Sequence, residues 1–202
     1  VTGSVGKTTT KDMVAAVLAE KFKVLKTEGN FNNEVGLPLT LLRLNRQHEL
    51  YVLEMGVNHF RENEYLSGIV EPDVAVITNI GDSHIENLGS RENILKAKCE
   101  IFSHMDPKKG YVILNGDDPL LEPLRASLPF QSVLVGTAEG LDYRATGVES
   151  DGEKSVRCHV RTPRSGFDVE IPALGNHMLY PTLTAAAVAE HFGMTGGEIA
   201  RG

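Results

Sequence analysis

The sequence VTGSVGKTTT, residues 1 to 10, decides the fold prediction. The tripeptide GKT (6–8) is the end of a Walker A motif, and an amphipathic helical pattern follows it. The full motif has a glycine five residues before Gly6, where this chain has Val1. Gly3 and Gly6 can still adopt the backbone conformations that turn successive N–H groups towards phosphate oxygens. The stretch therefore predicts a phosphate-binding loop at the start of a helix.

The loop also predicts which residues contact ATP and its Mg²⁺. Lys7 is expected to reach the β- and γ-phosphates, and the Thr8 hydroxyl to bind Mg²⁺. A glycine-rich turn with a lysine placed by chance is the alternative, and the helix that opens directly after the motif argues against it. The candidate ATP-binding residues of the loop are Thr2, Gly3, Ser4, Val5, Gly6, Lys7, Thr8 and Thr9.

Composition excludes several classes of protein. Of the 202 residues 41% are hydrophobic and 23% charged, and the formal net charge is −7 with the two signs interspersed. This acidic surface argues against nonspecific nucleic-acid binding, which needs a basic face. No apolar run is long enough for a membrane span, and no signal-peptide pattern begins the sequence. The two cysteines, Cys99 and Cys158, are far apart, and unpaired thiols of this kind favour the cytoplasm.

Apolar strand-like runs alternate with helical patterns along the first two-thirds of the chain. The predicted helices are 7–19, 39–44 (with Pro38 at the helix start), 61–69, 90–103, 118–127 and 178–192. The predicted strands are 23–27, 49–56, 73–80, 111–115 and 132–136. This alternation predicts an α/β fold with a mostly parallel sheet and helices on both faces. Residues 142–172 alternate in the manner of hairpins and predict a small antiparallel subsheet. A strand is also expected before residue 1, leading into the phosphate loop.

Polar side chains are expected at the carboxyl edge of this sheet, where open α/β sheets bind ligands. Glu54 follows an apolar run, and a buried acid there is costly unless it is paired or binds metal, so a Mg²⁺ role is favoured over a solvated glutamate. His84, just beyond the next strand, is a candidate for metal or phosphate binding, although a loop histidine is often only a surface residue. Lys96 and Lys98 point about 200° apart on a helix. Lys98 borders the apolar stripe of this helix, so it is the lysine expected to face the site.

Together these residues resemble the Mur ligases, the ATP-dependent amide-bond ligases of bacterial cell-wall precursor synthesis. TGSVGKTT looks like the ATP loop of that family, and Glu54, His84 and Lys98 fall at the positions of its two-metal site. The resemblance implies that Thr8 and Glu54 hold one Mg²⁺, and that His84 and a carbamylated Lys98 hold a second. It also implies catalytic roles for Lys7, Glu54, His84 and Lys98.

The resemblance further implies the substrates and the domain organisation. The stretches TEGNFNNEVGLPLTLLRL (28–44), VLEMGVNHFRENEYL (52–66) and VITNIGDSHIENLGS (76–90) are most similar to the members that add D-alanyl-D-alanine to UDP-N-acetylmuramoyl-tripeptide. NGDDP (115–119) and GNHMLYP (175–181) add to the likeness. Residues 1–202 would then be the central ATP-binding domain, without the domain that holds the UDP-sugar and the domain that closes over ATP.

Two further features of the site are expectations of the same kind. Many relatives have His-Asn-x-x-Asn beside the adenine; here His177 is kept and both asparagines are replaced, so His177 or backbone groups are expected to contact the base. Asn30, Asn32 and Asn33 offer amide donors that would orient the substrate carboxylate or a phosphate oxygen. An asparagine-rich turn is the alternative.

Three other functions stay open at this point. One is another ligase of the superfamily, such as a folylpolyglutamate synthase or the ligase that adds the third amino acid. A second is a P-loop kinase or nucleotide switch, which would not need the pair His84 and Lys98. The third is a binding module, in which this chain alone holds ATP without turnover.

Overall fold

The computed structural model describes residues 1–150, 154–173 and 175–202. Its helices are α1 (Lys7–Ala19), α2 (Gly36–Leu41), α3 (Glu62–Val70), α4 (Ile85–Leu88), α5 (Arg91–Cys99), α6 (Leu179–His191) and α7 (Gly196–Arg201). Its strands are β1 (Val24–Lys26), β2 (Leu50–Val52), β3 (Val74–Ile77), β4 (Tyr111–Asn115), β5 (Gln131–Gly136), β6 (Tyr143–Ser150), β7 (Val156–Arg161) and β8 (Gly166–Ile171). Short 3-10 helices cover Glu100–Phe102, Pro123–Ser127 and Asn176–Met178.

The main sheet has six strands in the order β3-β4-β5-β6-β7-β8. Strands β3 to β6 run parallel, and β6, β7 and β8 run antiparallel. The α/β fold with a mostly parallel sheet is therefore confirmed, and so are the antiparallel strands. The antiparallel strands continue the main sheet, because β6 pairs with β5 between Val135 and Tyr143.

A second, two-stranded parallel sheet is formed by β1 and β2. The first residues of the chain lie between the two sheets and bond to both. Val1 O accepts a hydrogen bond from Met55 N at 2.8 Å, and Thr2 N donates to Val76 O at 2.9 Å. Thr78 N donates to Thr2 O at 3.0 Å. These main-chain bonds place the phosphate loop at the carboxyl edge of both sheets.

Two apolar cores lie on opposite faces of the sheet. One joins α1 and α6 to the sheet, with Val14, Leu18 and Leu183 among its buried residues. The other joins α3 and α5 to the sheet, with Leu66 and Ile94 fully buried. The predicted coverage of both faces by helices is therefore observed, and α5 and α6 lie on opposite sides of the sheet.

Several predicted boundaries were wrong for local physical reasons. Helix α2 starts at Gly36, directly after a turn in which Asn33 Oδ1 accepts the Gly36 N–H at 2.8 Å, so Pro38 is the third helical residue. Of the strand predicted at 49–56, only Leu50–Val52 (β2) is a strand in the structure. The predicted helix 118–127 is instead a 3-10 helix over Pro123–Ser127, preceded by turns that the Asp118 side chain holds. Helices α4 and α7 were not predicted.

Candidate active site

Two glycines give the phosphate loop its path. Gly3 has φ of 149°, and a Cβ there would collide with the Thr78 hydroxyl and lie 3.0 Å from the Thr78 Cβ. Gly6, the residue before α1, has φ of 78°, a left-handed conformation that glycine adopts readily. Val1, at the position of the first motif glycine, is half-buried, and its carbonyl accepts a hydrogen bond from Met55 N in the segment after β2. The two glycines that the loop needs are therefore both present.

The segment after β3 holds the loop in place. Thr78 Oγ1 donates to Val5 O at 2.6 Å, and the Asn79 side chain both accepts from Val5 N and donates to Val5 O. Ser4 Oγ accepts a hydrogen bond from Gly81 N at 2.8 Å. The segment after β3 thus braces the loop through polar contacts, which preorganises its N–H groups.

Lys7 lies on the first turn of α1 and folds over the loop. Its Nζ donates to Gly3 O at 3.0 Å. Burial lowers the pKa of Lys7, and the charge of Glu54 acts in the opposite direction. Thr8 and Thr9 are exposed beside it. This places a lysine, two hydroxyls and the amino end of a helix together at the sheet edge.

Glu54 is the buried acid of this edge, only 2% exposed. It lies two residues after the end of β2 at Val52, whereas the predicted strand 49–56 included it. Its carboxylate accepts hydrogen bonds from Thr8 Oγ1 at 2.8 Å and from Asn32 Nδ2 at 2.7 Å. Its backbone N–H donates to Thr27 Oγ1 at 3.0 Å. The acid predicted to act with the phosphate loop therefore contacts it directly.

The three predicted asparagines have different positions. Asn32 contacts Glu54, and its carbonyl accepts from Gly56 N at 2.7 Å. Asn33 Oδ1 accepts from Val35 N at 3.2 Å and from Gly36 N at 2.8 Å, a local turn of the kind that the alternative interpretation expected. Asn30 is exposed, and its carbonyl accepts from Asn32 N. Of the three side chains, the structure brings that of Asn32 into the site.

Lys98 lies on α5 and is 2% exposed, whereas Lys96 is exposed to solvent, as the helical phase predicts. Burial, with a smaller contribution from the charge of Lys7, lowers the pKa of Lys98 to about 8. About a tenth of this amine is therefore neutral at pH 7, and only a neutral amine reacts with CO₂.

His84 precedes α4 with a positive φ of 67° and is exposed. Burial of part of its ring lowers the pKa of His84, and the positive charges of Lys98 and Lys7 lower it further. The positive charges of Lys98 and Lys7 therefore lie within electrostatic range of His84.

The donor set around Glu54 fits Mg²⁺. The Glu54 carboxylate and the Thr8 hydroxyl offer the oxygen atoms that this hard cation prefers, and the buried carboxylate is bonded to two neutral donors. Within residues 1–150, 154–173 and 175–202 no group of three or more His, Cys, Asp and Glu could hold a metal ion.

His177 lies in the 3-10 turn before α6 and is exposed. Next to it sequence reasoning missed a polar cluster that joins three segments. Tyr180 Oη donates to Asp117 Oδ2 at 3.1 Å, and the same carboxylate accepts from Thr137 N at 2.7 Å and Ala138 N at 3.1 Å. The two adjacent aspartates of NGDDP (115–119) were the sequence feature that could have predicted this cluster.

Two more residues that support the site, Lys11 and Asp118, were missed. Lys11 Nζ donates to Thr27 O at 2.8 Å beneath Glu54. Asp118 Oδ2 accepts from Ile80 N at 2.7 Å, which fixes the segment that leads to His84. The sequence feature that could have predicted the role of Lys11 was its position on the same helix face as the apolar Val14.

In the part of the chain that the structure describes, no helix combines the length and the apolar character required to cross a membrane.

Comparison with known proteins shows the family of this chain. Residues 1–189 match the family described as the Mur ligase middle domain. The UDP-N-acetylmuramoyl-tripeptide–D-alanyl-D-alanine ligase of Bacillus subtilis (strain 168) is 43% identical over 202 residues, which are 100% of this chain and 43% of that protein. The chain thus spans less than half the length of that relative.

Solved structures give the same picture. MurF from Acinetobacter baumannii superposes with a TM-score of 0.92 at 36% identity, over 99% of this chain and 44% of that one. MurF ligase from Thermotoga maritima, solved in complex with ADP, superposes with a TM-score of 0.87 at 32% identity, over 99% of this chain and 47% of that one. The chain belongs to the Mur ligase middle-domain family.

Proposed function

We propose that this chain is the ATP-binding domain of a cytoplasmic ligase that adds D-alanyl-D-alanine to UDP-N-acetylmuramoyl-tripeptide in peptidoglycan-precursor synthesis. The observation that carries the proposal is the contact between Thr8 and Glu54 at 2.8 Å, which joins a phosphate loop to a buried acid. The 43% identity to the Bacillus subtilis ligase supports this substrate pair over those of other superfamily members.

The phosphates of ATP would bind the N–H groups of residues 2–9 at the amino end of α1. Lys7 would leave Gly3 O, 3.0 Å away, and pair with the β- and γ-phosphates. His177 would face the base, since α6 and α1 pack on the same face of the sheet. The Thermotoga maritima relative was solved in complex with ADP, which supports a nucleotide-binding role for this chain.

Thr8 and Glu54 would hold one Mg²⁺, and His84 with a carbamylated Lys98 would hold a second. Bound there, the ions would neutralise charge on the phosphates and on the reacting acyl oxygen. The pKa of Lys98, lowered to about 8, supports the carbamate because CO₂ adds to a neutral amine. Asn32, which donates to Glu54, would keep the carboxylate oriented, and Asn30 and Asn33 remain candidates for substrate contact.

The proposed reaction has two steps. A carboxylate oxygen of the tripeptide attacks the γ-phosphorus, the bond to the bridging oxygen breaks, and ADP leaves an acyl phosphate. The amine of D-alanyl-D-alanine then attacks the acyl carbon, loses a proton, and inorganic phosphate departs. Lys7 and the N–H groups of the loop stabilise the charge that develops on the transferred phosphoryl group.

The test is ADP release by the full-length protein from ATP, with each substrate omitted in turn. Release should require both UDP-N-acetylmuramoyl-tripeptide and D-alanyl-D-alanine. Release that requires a different amino acid would establish the third-residue ligase or a folylpolyglutamate synthase instead. Phosphate transfer without formation of an amide would establish a kinase or switch. The 202-residue chain alone should bind ATP without turnover.

A further inference from the structure

A fully enclosed lysine lies directly beneath the site. Lys11 is on α1, one turn after Lys7, and its side chain is 2% exposed. Its Nζ donates to Thr27 O at 2.8 Å. Burial of an ammonium group is unfavourable unless its donors are satisfied and its charge is used. The position therefore calls for an explanation beyond packing.

Thr27 links this lysine to the acid of the site. It follows β1 and is completely buried. Its N–H donates to Val52 O at 3.1 Å, and its Oγ1 accepts the backbone N–H of Glu54 at 3.0 Å. One residue thus binds Lys11 through its carbonyl and Glu54 through its hydroxyl. The connection is a chain of three residues from the interior of α1 to the backbone of Glu54.

The alternative is that Lys11 only pairs with Asp12. Asp12 Oδ1 is 3.2 Å from Lys11 Nζ, but it is 2.6 Å from the ammonium of Lys26. The Asp12 side chain is 45% exposed and its pair with Lys26 lies at the surface. Such a pair contributes little and does not require a buried partner. The shorter bond of Lys11, to Thr27 O, points towards the site.

We propose that Lys11 is a positioning residue for Glu54. It fixes the carbonyl of Thr27, so that the Thr27 hydroxyl holds the Glu54 backbone and the carboxylate stays beside Thr8. Groups that orient metal-binding side chains in this way typically change metal affinity 10- to 100-fold when they are removed. The inference rests on the proposed role of Glu54 in binding Mg²⁺ with the nucleotide.

The test measures the Kd of ADP for the full-length protein by calorimetry, once with Mg²⁺ and once with EDTA. In Lys11→Met, the Kd with Mg²⁺ should rise about tenfold, while the Kd with EDTA stays within about twofold. Thr27→Val, which keeps the charge of Lys11, should show the same pattern. The Kd with Mg²⁺ of the double variant should be little higher than that of either single variant, because both changes break the same connection.

Lys21→Met is the matched control, since it removes an equal charge from an exposed lysine just beyond the end of α1. It should leave both Kd values unchanged. If Lys11→Met does not fold, by circular dichroism, Thr27→Val carries the test alone. The proposal is overturned if the Kd with Mg²⁺ is unchanged in Thr27→Val, or if the Kd with EDTA rises by the same factor as the Kd with Mg²⁺. Either result leaves the proposed ligase untouched, because that is judged from ADP release by the unaltered protein.

Discussion

Thr8 and Glu54 are 46 residues apart in sequence, yet Thr8 Oγ1 donates to Glu54 Oε2 at 2.8 Å. The contact exists because the segment after β2 and the first turn of α1 meet at the same sheet edge. It places a hydroxyl oxygen and a carboxylate oxygen side by side at the amino end of a helix. That combination is what a nucleotide with its Mg²⁺ requires from a protein.

Glu54→Gln should therefore abolish most turnover while leaving the fold intact. Glutamine keeps the volume and can still bond to Thr8 and Asn32, but it removes the negative charge that would hold the cation. We expect ADP release by the full-length protein to fall at least about 100-fold, equivalent to about 2.7 kcal/mol. Glu122→Gln, at an exposed position, is the control and should retain full activity. Activity within a few-fold of wild type in Glu54→Gln would exclude the metal role.

Lys98→Ala should abolish ligation, and added bicarbonate should not restore it, because alanine has no amine to carbamylate. Lys96→Ala, two residues away on the exposed face of α5, should behave as wild type. Carbamylation itself is measured by carbon-13 NMR after incubation with labelled bicarbonate. A carbamate signal should be present in wild type and Lys96→Ala and absent in Lys98→Ala. Equal signals in all three proteins would contradict the assignment of Lys98.

The sequence predicted those parts of the site that depend on local pattern. Lys98 could be chosen over Lys96 from helical phase alone, since each helical residue turns by a fixed angle. Gly3 and Gly6 could be assigned because the loop needs backbone conformations that glycine adopts. Both predictions use information within a few neighbouring residues.

What could not be predicted depends on contacts between distant segments. Tyr180 reaches Asp117 across 63 residues, and Lys11 reaches Thr27 from a different element. Neither contact leaves a periodic pattern, because each is created by the way helices pack on the sheet. The end of β2 before Glu54 was also missed, because an apolar run does not show where pairing stops.

Gly3→Ala should destabilise the protein and abolish nucleotide binding. The added Cβ would collide with the hydroxyl of Thr78 and impose an unfavourable φ on alanine. We expect the free energy of unfolding to fall by at least about 3 kcal/mol. Gly140→Ala is the matched control: its φ is 82°, with open space around a Cβ, so it should cost only about 1 kcal/mol. Urea unfolding followed by circular dichroism measures both variants. Equal decreases in the free energy of unfolding would show that the backbone φ, and not the collision with Thr78, causes the destabilisation.

The carboxylate of Asp117 predicts a dependence of stability on pH. Burial acts to raise the pKa of Asp117, but hydrogen bonds from Thr137, Ala138 and Tyr180 outweigh it and hold this pKa below its usual 3.8. An acid whose pKa is lowered by folding stabilises the protein above its unfolded pKa, and that contribution is lost as the pH falls through the folded value.

Asp117→Asn should therefore lower the free energy of unfolding by about 2 kcal/mol at pH 7, because the amide cannot accept all four of these donors. The difference from wild type should shrink as the pH is lowered below 3.8, where the wild-type carboxyl also becomes protonated. Urea unfolding across this pH range measures it. Tyr180→Phe removes one donor and should show a smaller difference with the same pH trend. A difference that stays constant with pH would mean that the charge of Asp117 does not contribute to stability.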